Sequence, residues 1–271
     1  MTYYDKKIII SHYLKNIKGD QLLMKKYQDF ILESVIEKYY EGKLNKNKCI
    51  ELLDFFNESY VIPEPIYKIN MDKWGPGHPL WITGSSGDGK STLAKEYCNK
   101  FSNTALVTLD WLLIRLRYPK EKYFRKVVNN PKTQEKDFII VRFMNEHPEM
   151  PYELGLGQYN HYDEVNYWFN TFFDWLLKEA KTTYSKYNII VEGCDIALYG
   201  NPKVFAREPL IIMGTSRMQG KIRRIKRDIE TSTDHDMSLL EAIKREMKRD
   251  YVKDINKSKD NFKKMIKLLQ R

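Results

Sequence analysis

The sequence has no long apolar run and few cysteines. None of its apolar segments approaches the roughly 18 residues of a transmembrane helix, and segments such as Phe138–Val141 are only strand-sized. The first residues, MTYYDKKIII, lack the apolar core and cleavage site of a secretory signal. The three cysteines, Cys49, Cys98 and Cys194, are too widely spaced for a disulfide framework or a zinc site. These absences predict a reduced, cytoplasmic protein without a membrane partner.

The composition that remains is that of a folded protein. The 271 residues are 42% apolar and 30% charged, and they include no internal repeat or low-complexity tract. This excludes a mainly disordered, collagen-like or fibrous chain. The length lies above one usual domain and below two comfortable ones, so it predicts one main domain with an appendage.

Positive charge is the first feature that bears on function. The net charge is +10, from 46 basic and 36 acidic side chains. A basic protein is a candidate for nucleic-acid binding, although a chain rich in lysine can simply have solvated basic faces. Residues 221–271 carry 16 basic and nine acidic groups, so most of the excess lies in the last fifth of the chain.

Residues 1–75 are predicted to form a helical extension. Apolar residues at three- and four-residue spacings follow Asp20 and predict a helix that ends near Gly42. A second helix is predicted around Cys49–Phe56. The segment VIPEPIYKINMDKWGPGHP then contains four prolines and two glycines, which are typical of a connector, and predicts a boundary near residue 75.

Beyond this connector, short apolar runs alternate with helical segments. The runs PLWIT, TALVTL, NIIVEG and PLIIMG lack polar alternation, which is typical of strands in a parallel sheet covered on both faces. Residues 76–271 are therefore predicted to form one α/β domain. Its less regular part, residues 118–187, includes a helix with aromatic residues that we expect mainly in the core: Tyr167, Trp168, Phe172 and Trp175.

A phosphate-loop motif follows the first of these runs. Gly84–Ser91, GSSGDGKS, matches the pattern G-x-x-x-x-G-K-[ST]. The glycines let backbone N–H groups converge on a phosphate, Lys90 reaches the β- and γ-oxygens, and the Ser91 hydroxyl coordinates Mg²⁺. The alternative, a glycine-rich turn without a ligand, is less favoured because the motif lies between a predicted strand and a predicted helix. We therefore predict a P-loop NTPase-type parallel sheet flanked by helices, with ATP and Mg²⁺ as cofactors.

Two acidic residues end predicted strands. Asp110 follows TALVTL and Glu192 ends NIIVE. Ligands bind outside the carboxyl ends of the strands in open parallel sheets, where a carboxylate can hold Mg²⁺ or accept a proton from an attacking hydroxyl. Asp110 is also a candidate helix cap and Glu192 a candidate strand-end acid without a function. The space left by Gly193 favours a metal-binding role for Glu192.

A basic helix is predicted near residues 216–235. In KIRRIKRD, the side chains of Arg223, Arg224 and Arg227 share or adjoin one helical face. Such a group can clamp a triphosphate as a mobile lid, although a basic helix is otherwise usually a solvated face. The residues predicted to bind the nucleotide are thus Gly84, Ser85, Ser86, Gly87, Asp88, Gly89, Lys90, Ser91, Thr92 and Arg223.

In this order, the motifs resemble the uridine kinase, pantothenate kinase and phosphoribulokinase superfamily of P-loop kinases. The resemblance covers about residues 79–230 and depends on WITGSSGDGKST, VTLD, IIVEGCDIALYG and IRRIKRDIE. It implies that Ser91, Asp110 and Glu192 surround Mg²⁺ and that Asp110 is the base. It also implies that Lys90, Arg224 and Arg227 stabilise the transferring phosphoryl group.

The chain departs from this family on the acceptor side, where RLRYPKEKYF replaces the usual His-Pro-Asp element, and after Asp228. We expect an ATP-dependent kinase acting on a hydroxyl of a small molecule, most of all a nucleoside-like one. Candidate acceptor contacts are Arg115, Arg117, Tyr118, Tyr159, His161 and Tyr162. His78, His147 and His161 are expected to be ordinary loop histidines.

Two other functions stay open at this stage. The basic last fifth of the chain and the aromatic insert also fit a kinase that acts on nucleic acid, at a 5′ end or on a modified base. A non-catalytic module that binds ATP and regulates a partner is the third hypothesis. The oligomeric state is open too, because the apolar faces within residues 1–75 fit either a contact with the sheet or a homo-oligomer.

Overall fold

The computed structural model describes residues 21–60, 66–84, 86–154, 162–214 and 217–248, together with positions 260, 263, 264 and 267. The chain divides into two compact units. The helical unit comprises residues 1–62 and 216–250, and the sheet unit comprises residues 63–215 and 251–271. This division differs from the predicted boundary at residue 75, because residues 67–69 of the predicted connector form a strand of the sheet.

In the helical unit, the described helices pack around one apolar cluster. They are α1 (Gln21–Tyr40), α2 (Lys46–Tyr60), α11 (Arg217–Thr231) and α12 (Met237–Lys248). Leu32, Ile36, Leu53, Ile222 and Ile225 are among the buried members of the cluster. Both predicted N-terminal helices are confirmed, and Gly42 follows the first one at φ 69°, a conformation that glycine adopts without strain.

The sheet unit contains five described strands and the helices that cover them. The strands are β1 (Tyr67–Ile69), β2 (Leu80–Gly84), β3 (Thr104–Thr108), β4 (Asn188–Glu192) and β5 (Leu210–Met213). A 3₁₀ turn covers Met71–Lys73 and a π-helical turn covers Phe124–Val128. The helices are α3 (Lys90–Lys100), α4 (Asp110–Arg117), α5 (Lys120–Tyr123), α6 (Pro131–Lys136), α7 (Phe138–Glu146), α8 (Tyr162–Lys181), α9 (Asp195–Tyr199) and α10 (Pro202–Phe205).

The strand order is β1-β5-β2-β4-β3. Strands β2 to β5 are parallel, and β1 pairs antiparallel with β5 at one edge. The four apolar runs thus form the parallel strands, and the predicted α/β sheet flanked by helices is confirmed. Their register brings Ile82 opposite Glu192 and Thr108 opposite Glu192, so the carboxyl ends of β2, β3 and β4 lie at one edge.

Apolar side chains cover both faces of the sheet. Leu80, Ile82 and Ile190 pack with Ala94 of α3 on one face. Trp81 points to the other face, where it packs edge-on against Phe173 and Phe205. Burial on both faces explains why the strands lack polar alternation.

Three local features differ from what the sequence suggests. Phe138–Val141, which is strand-sized, begins helix α7 because its buried residues recur at helical spacing. The proline-rich connector provides β1. On α8, Trp168 and Phe172 are buried as predicted, whereas Tyr167 is 60% exposed.

No helix among the described residues is both long and apolar enough to cross a membrane.

Candidate functional site

The phosphate-loop motif connects β2 to α3 through glycines in unusual conformations. Gly84, Gly87 and Gly89 have φ angles of 154°, 90° and 88°, which side-chain-bearing residues rarely adopt. A Cβ atom on Gly84 would lie 2.6 Å from the carbonyl oxygen of Met213. Glycine is therefore required where the loop leaves the sheet and passes close to β5. Ser85 lies outside the described residues.

Helix α3 begins at Lys90. The first N–H groups of a helix have no partner within the helix, and with the helix dipole they form a binding site for an anion. Lys90 and Asp88 are both buried, whereas Ser91 and Thr92 are exposed. The loop, the helix end and the Lys90 ammonium together have the chemistry that a phosphate chain requires.

The Ser91 hydroxyl links this loop to the strand beside it. Its Oγ donates a hydrogen bond to Oε1 of Glu192 at 3.1 Å. Glu192 is 4% exposed, and burial raises its pKa to about 6, although Lys90 and the Ser91 hydrogen bond lower it. Two residues that the sequence assigned to one site, 101 positions apart, are thus in direct contact.

Asp110 is brought to the same edge of the sheet by main-chain contacts. The Leu109 N–H donates to the Glu192 carbonyl at 3.0 Å, and the Gly193 N–H donates to the Ile82 carbonyl at 3.1 Å. A Cβ atom on Gly193 would lie 2.7 Å from the Leu109 Cβ atom, so glycine lets these turns approach. Asp110 is exposed at the start of α4, and its charge contributes to the raised pKa of Glu192.

Asp195 is a member of this cluster that the sequence analysis missed. It is the first residue of α9 and is 0% exposed. Its Oδ1 atom has no hydrogen-bond partner among the described residues, and Oδ2 receives a weak hydrogen bond from the Cys194 thiol at 3.7 Å. The pKa of Asp195 is raised to about 7, first by burial and second by the Asp110 charge, although Lys90 and Arg117 lower it. The only signal in the sequence is an acid three positions after a strand-end acid.

Asp137 supports the turn that carries Asp110. Its Oδ1 accepts a hydrogen bond from the Thr108 N–H at 2.6 Å. Burial raises the pKa of Asp137, whereas the hydrogen bonds from Thr108 lower it. The contact fixes the last residue of β3, two positions before Asp110. Nothing in the sequence pairs residues 108 and 137.

The arginines predicted to form a lid lie on α11 in the helical unit. The helix buries Met218, Ile222 and Ile225 in the core of that unit, so it is more than a solvated face. Arg224 is largely buried and Arg223 is exposed. The Arg227 guanidinium donates to Asp228 at 3.2 Å. Binding of a triphosphate by these arginines stays a prediction.

Of the candidate acceptor contacts, Arg115 is 3% exposed. Its guanidinium lies 3.2 Å from the centre of the Tyr152 ring and donates to the Met150 carbonyl at 2.7 Å, within the core of the sheet unit. Arg117 and Tyr118 are half-buried. Tyr159 and His161 lie outside the described residues, as does the side chain of Tyr162.

The other two histidines lie apart from the carboxylate cluster. His147 contacts Glu149 at 2.8 Å and packs on Phe143, and His78 lies 4.0 Å from Glu208. Their surroundings fit the expectation of ordinary loop histidines.

The oxygen atoms at this edge suit Mg²⁺, which usually binds one or two carboxylates together with water and substrate phosphates. Ser91 and Glu192 provide an adjacent hydroxyl and carboxylate. No group of three His, Cys, Asp or Glu side chains converges as a complete metal site within the described ranges. A magnesium ion here would therefore depend on phosphate and water for its other ligands.

The chain matches no protein-family model, and it has no significant match among curated protein sequences or solved structures.

Proposed function

We propose that this chain is a P-loop kinase that transfers the γ-phosphoryl group of ATP to a hydroxyl group of a small molecule, most of all a nucleoside-like one. The observation that carries the proposal is the hydrogen bond between Ser91 and Glu192, next to a loop whose glycines have positive φ angles. A glycine-rich turn without a ligand needs no buried carboxylate against the first turn of its helix. A magnesium–nucleotide site needs both groups.

In this proposal the loop from Gly84 to Gly89 binds the β-phosphate with its N–H groups, and Lys90 neutralises the β- and γ-oxygens. Charge neutralisation and positioning provide most of the catalysis in phosphoryl transfer. The buried position of Lys90 favours this role, because water screens charge interactions least at buried positions and the Lys90 charge acts on Glu192 and Asp195.

Ser91 and Glu192 would hold Mg²⁺, with Asp110 near it. When bound, the ion neutralises charge on the β- and γ-phosphates. Glu192 is fixed for this role because it ends β4, beside the strand that leads into the loop. Its raised pKa is the expected result of burying a carboxylate before its cation arrives.

Asp110 is assigned as the base. It is exposed at the carboxyl edge of the sheet, so an acceptor can reach it. The acceptor oxygen attacks the γ-phosphorus, the bond from that phosphorus to the β-bridging oxygen breaks, and Asp110 takes the proton from the hydroxyl. ADP leaves with the bridging oxygen. In the same proposal, Arg223 binds the triphosphate, and Arg224 and Arg227 stabilise the transferring group.

The decisive experiment is a transfer assay with ATP labelled at the γ-phosphate and a panel of nucleosides, pantothenate, sugars and oligonucleotides. Ser91→Ala should remove transfer, whereas Ser102→Ala, an exposed serine in the same unit, should not. ATP binding by the wild type without transfer to any acceptor would favour the regulatory module. Absence of Mg²⁺-dependent ATP binding would refute the nucleotide site itself.

A second candidate, a kinase for nucleic acid, is favoured by the net positive charge of residues 221–271. Several of these cations are already paired in the helical unit: Lys221 with Asp29, Lys226 with Asp54 and Lys244 with Glu37. Oligonucleotide binding would weaken steeply with salt, at a slope that counts phosphate contacts. Lack of retention at low salt would remove this candidate.

A further inference from the structure

The proposed chemistry leaves Asp195 without a role. Its side chain is completely buried, and Oδ1 has no hydrogen-bond partner in the described part of the chain. Buried carboxyl oxygens are normally paired, since an unpaired one loses its hydration and gains nothing in return. Asp137, a buried aspartate in the same unit, follows the rule and accepts the Thr108 N–H. Asp195 departs from it.

The charges around Asp195 locate it on one side of the cluster. Asp110, Lys90 and Arg117 all act on its carboxyl group. Arg117 follows Asp110 by seven residues on α4, and this spacing brings the two onto the same face of a helix. Lys90 and Asp110 also act on the carboxyl group of Glu192, which in addition accepts the Ser91 hydrogen bond. Arg117 thus marks the side of the cluster that Asp195 occupies, and Ser91, a proposed magnesium ligand, marks the side of Glu192.

The position of a proposed catalytic base near a buried carboxyl oxygen without a hydrogen-bond partner indicates which chemical group pairs with that oxygen. In the proposed function, the hydroxyl that gives its proton to Asp110 binds at this edge of the sheet, and the charge of Asp110 acts on Asp195. An ionised carboxylate only accepts hydrogen bonds, so the group that completes Asp195 in this form is a donor.

We propose that Asp195 binds the phosphoryl acceptor, with Oδ1 accepting a hydrogen bond from a second donor group close to the reacting hydroxyl. This inference rests on the proposed kinase function and narrows its substrate class. The acceptor is a diol, polyol or amino alcohol rather than a molecule with one isolated hydroxyl. Asp110 takes the proton of the reacting hydroxyl, and the hydrogen bond to Asp195 favours acceptors that have the second donor group.

The test compares the wild type with Asp195→Asn and Asp195→Ala, and uses Asp174→Asn, an exposed aspartate on α8, as the matched control. The acceptors are offered in pairs that differ by one donor: nucleosides with their 2′- and 3′-deoxy forms, polyols with mono-alcohols, and amino alcohols with their deaminated forms. The measurements are KM for the acceptor, KM for ATP, kcat and the Tm of the protein without ligand.

With the wild type, we expect transfer to acceptors that have the second donor and a marked preference for them over their partners. Asp195→Ala should raise the acceptor KM about ten- to hundredfold, as expected for a lost hydrogen bond to a charged group. It should also remove the preference within each pair. KM for ATP should stay within about twofold, and Tm should not fall, because an unpaired buried carboxyl does not stabilise the free protein.

Three results would overturn the inference. An unchanged acceptor KM in both variants, with transfer intact, would refute it and leave the kinase proposal standing. A fall in Tm with parallel changes in both KM values would make Asp195 a structural residue. A wild type that binds ATP but transfers to no acceptor would refute the proposed function, and the inference with it.

Discussion

One buried charge in each unit shows a different use of burial. In the helical unit, the Lys221 ammonium is 1% exposed and paired, since it donates to Asp29 at 2.9 Å and to the Met247 carbonyl at 3.0 Å. In the sheet unit, Glu192 and Asp195 are equally buried but have raised pKa values, and Asp195 lacks a partner for one oxygen.

Pairing of this kind stabilises a fold, whereas an incompletely paired acid is a candidate for ligand binding. On the proposed function, the contrast favours the carboxyl edge of the sheet as the ligand-binding part of the molecule. It also favours a stabilising role for Lys221 of α11.

The largest effect is expected from Lys90→Ala, which removes the cation from the sheet edge. Transfer should fall about 10⁴-fold or more, because charge neutralisation of the phosphates is the main catalytic contribution. The assay is transfer of labelled phosphate, with Lys95→Ala, an exposed lysine on the same helix, as the control. Transfer within tenfold of the wild type would contradict the phosphate-binding role.

Arg227→Ala tests whether an exposed cation of the helical unit binds a ligand. The Arg227 side chain is 66% exposed, unlike Lys221. If it clamps the γ-phosphate, the rate should fall about 10³-fold, the lower end of the range for arginine fingers. The matched control is Arg245→Ala, an exposed arginine on α12. An unchanged rate would make Arg227 a solvated surface residue.

Asp110→Asn separates binding from chemistry at the sheet edge. We expect ATP binding to persist and kcat to fall about 10²- to 10³-fold, which is typical for loss of a general base. Calorimetry measures the first and the transfer assay the second, with the exposed Asp72→Asn as the control. Full activity in Asp110→Asn would refute its assignment as the base.

Asp29→Ala tests whether the ion pair with Lys221 stabilises the helical unit. Lys221 would keep the Met247 carbonyl but lose its carboxylate, so the free energy of unfolding should fall by about 1–3 kcal/mol while transfer stays unchanged. Urea denaturation gives the value. Glu41→Ala removes the exposed surface pair with Lys43 and should lower the free energy of unfolding by much less. Equal losses of unfolding free energy in Asp29→Ala and Glu41→Ala would refute the distinction between the buried pair and the surface pair.

The smallest effect concerns pH. Burial raises the pKa of Asp137, so the folded protein binds this proton more tightly than the unfolded chain does. The protonated form of Asp137 therefore stabilises the fold at pH values below the ordinary pKa of aspartate. This contribution to stability is lost as pH rises through the pKa that Asp137 has in the folded protein. The side chain of Asp137→Asn never ionises. Between pH 4 and 7 its Tm should therefore fall less than the Tm of the wild type, and the two falls should differ by about 2–4 °C at most. Parallel pH profiles would show that burial of this charge does not matter.

Much of the sheet edge could be predicted from the sequence because its requirements are local. Gly84 and Gly89 need φ angles that few other residues tolerate, and Asp110 and Glu192 stand at the ends of apolar runs without polar alternation, which is typical of buried strands. Gly42 marks the end of α1 for the same local reason.

The rest depends on contacts between distant residues, for which one sequence gives no signal. Asp137 reaches Thr108 across 29 positions, and Arg115, a predicted contact of the acceptor, is buried against Tyr152. Tyr167 fits the helical pattern of its aromatic neighbours but lies just outside the buried face. Apolar residues at helical spacing predict a further helix near the end of the chain, but they lie outside the described residues: Ile255, Phe262, Ile266 and Leu269.

The contact between Leu109 and Gly193 has a consequence for how this site could change. Main-chain hydrogen bonds and one glycine, rather than the acidic side chains, set the distance between the turns that carry Asp110 and Glu192. The framework is therefore independent of the chemistry attached to it. Selection or design could replace the acids with histidine or asparagine and test other ligands on the same backbone, provided that position 193 stays glycine.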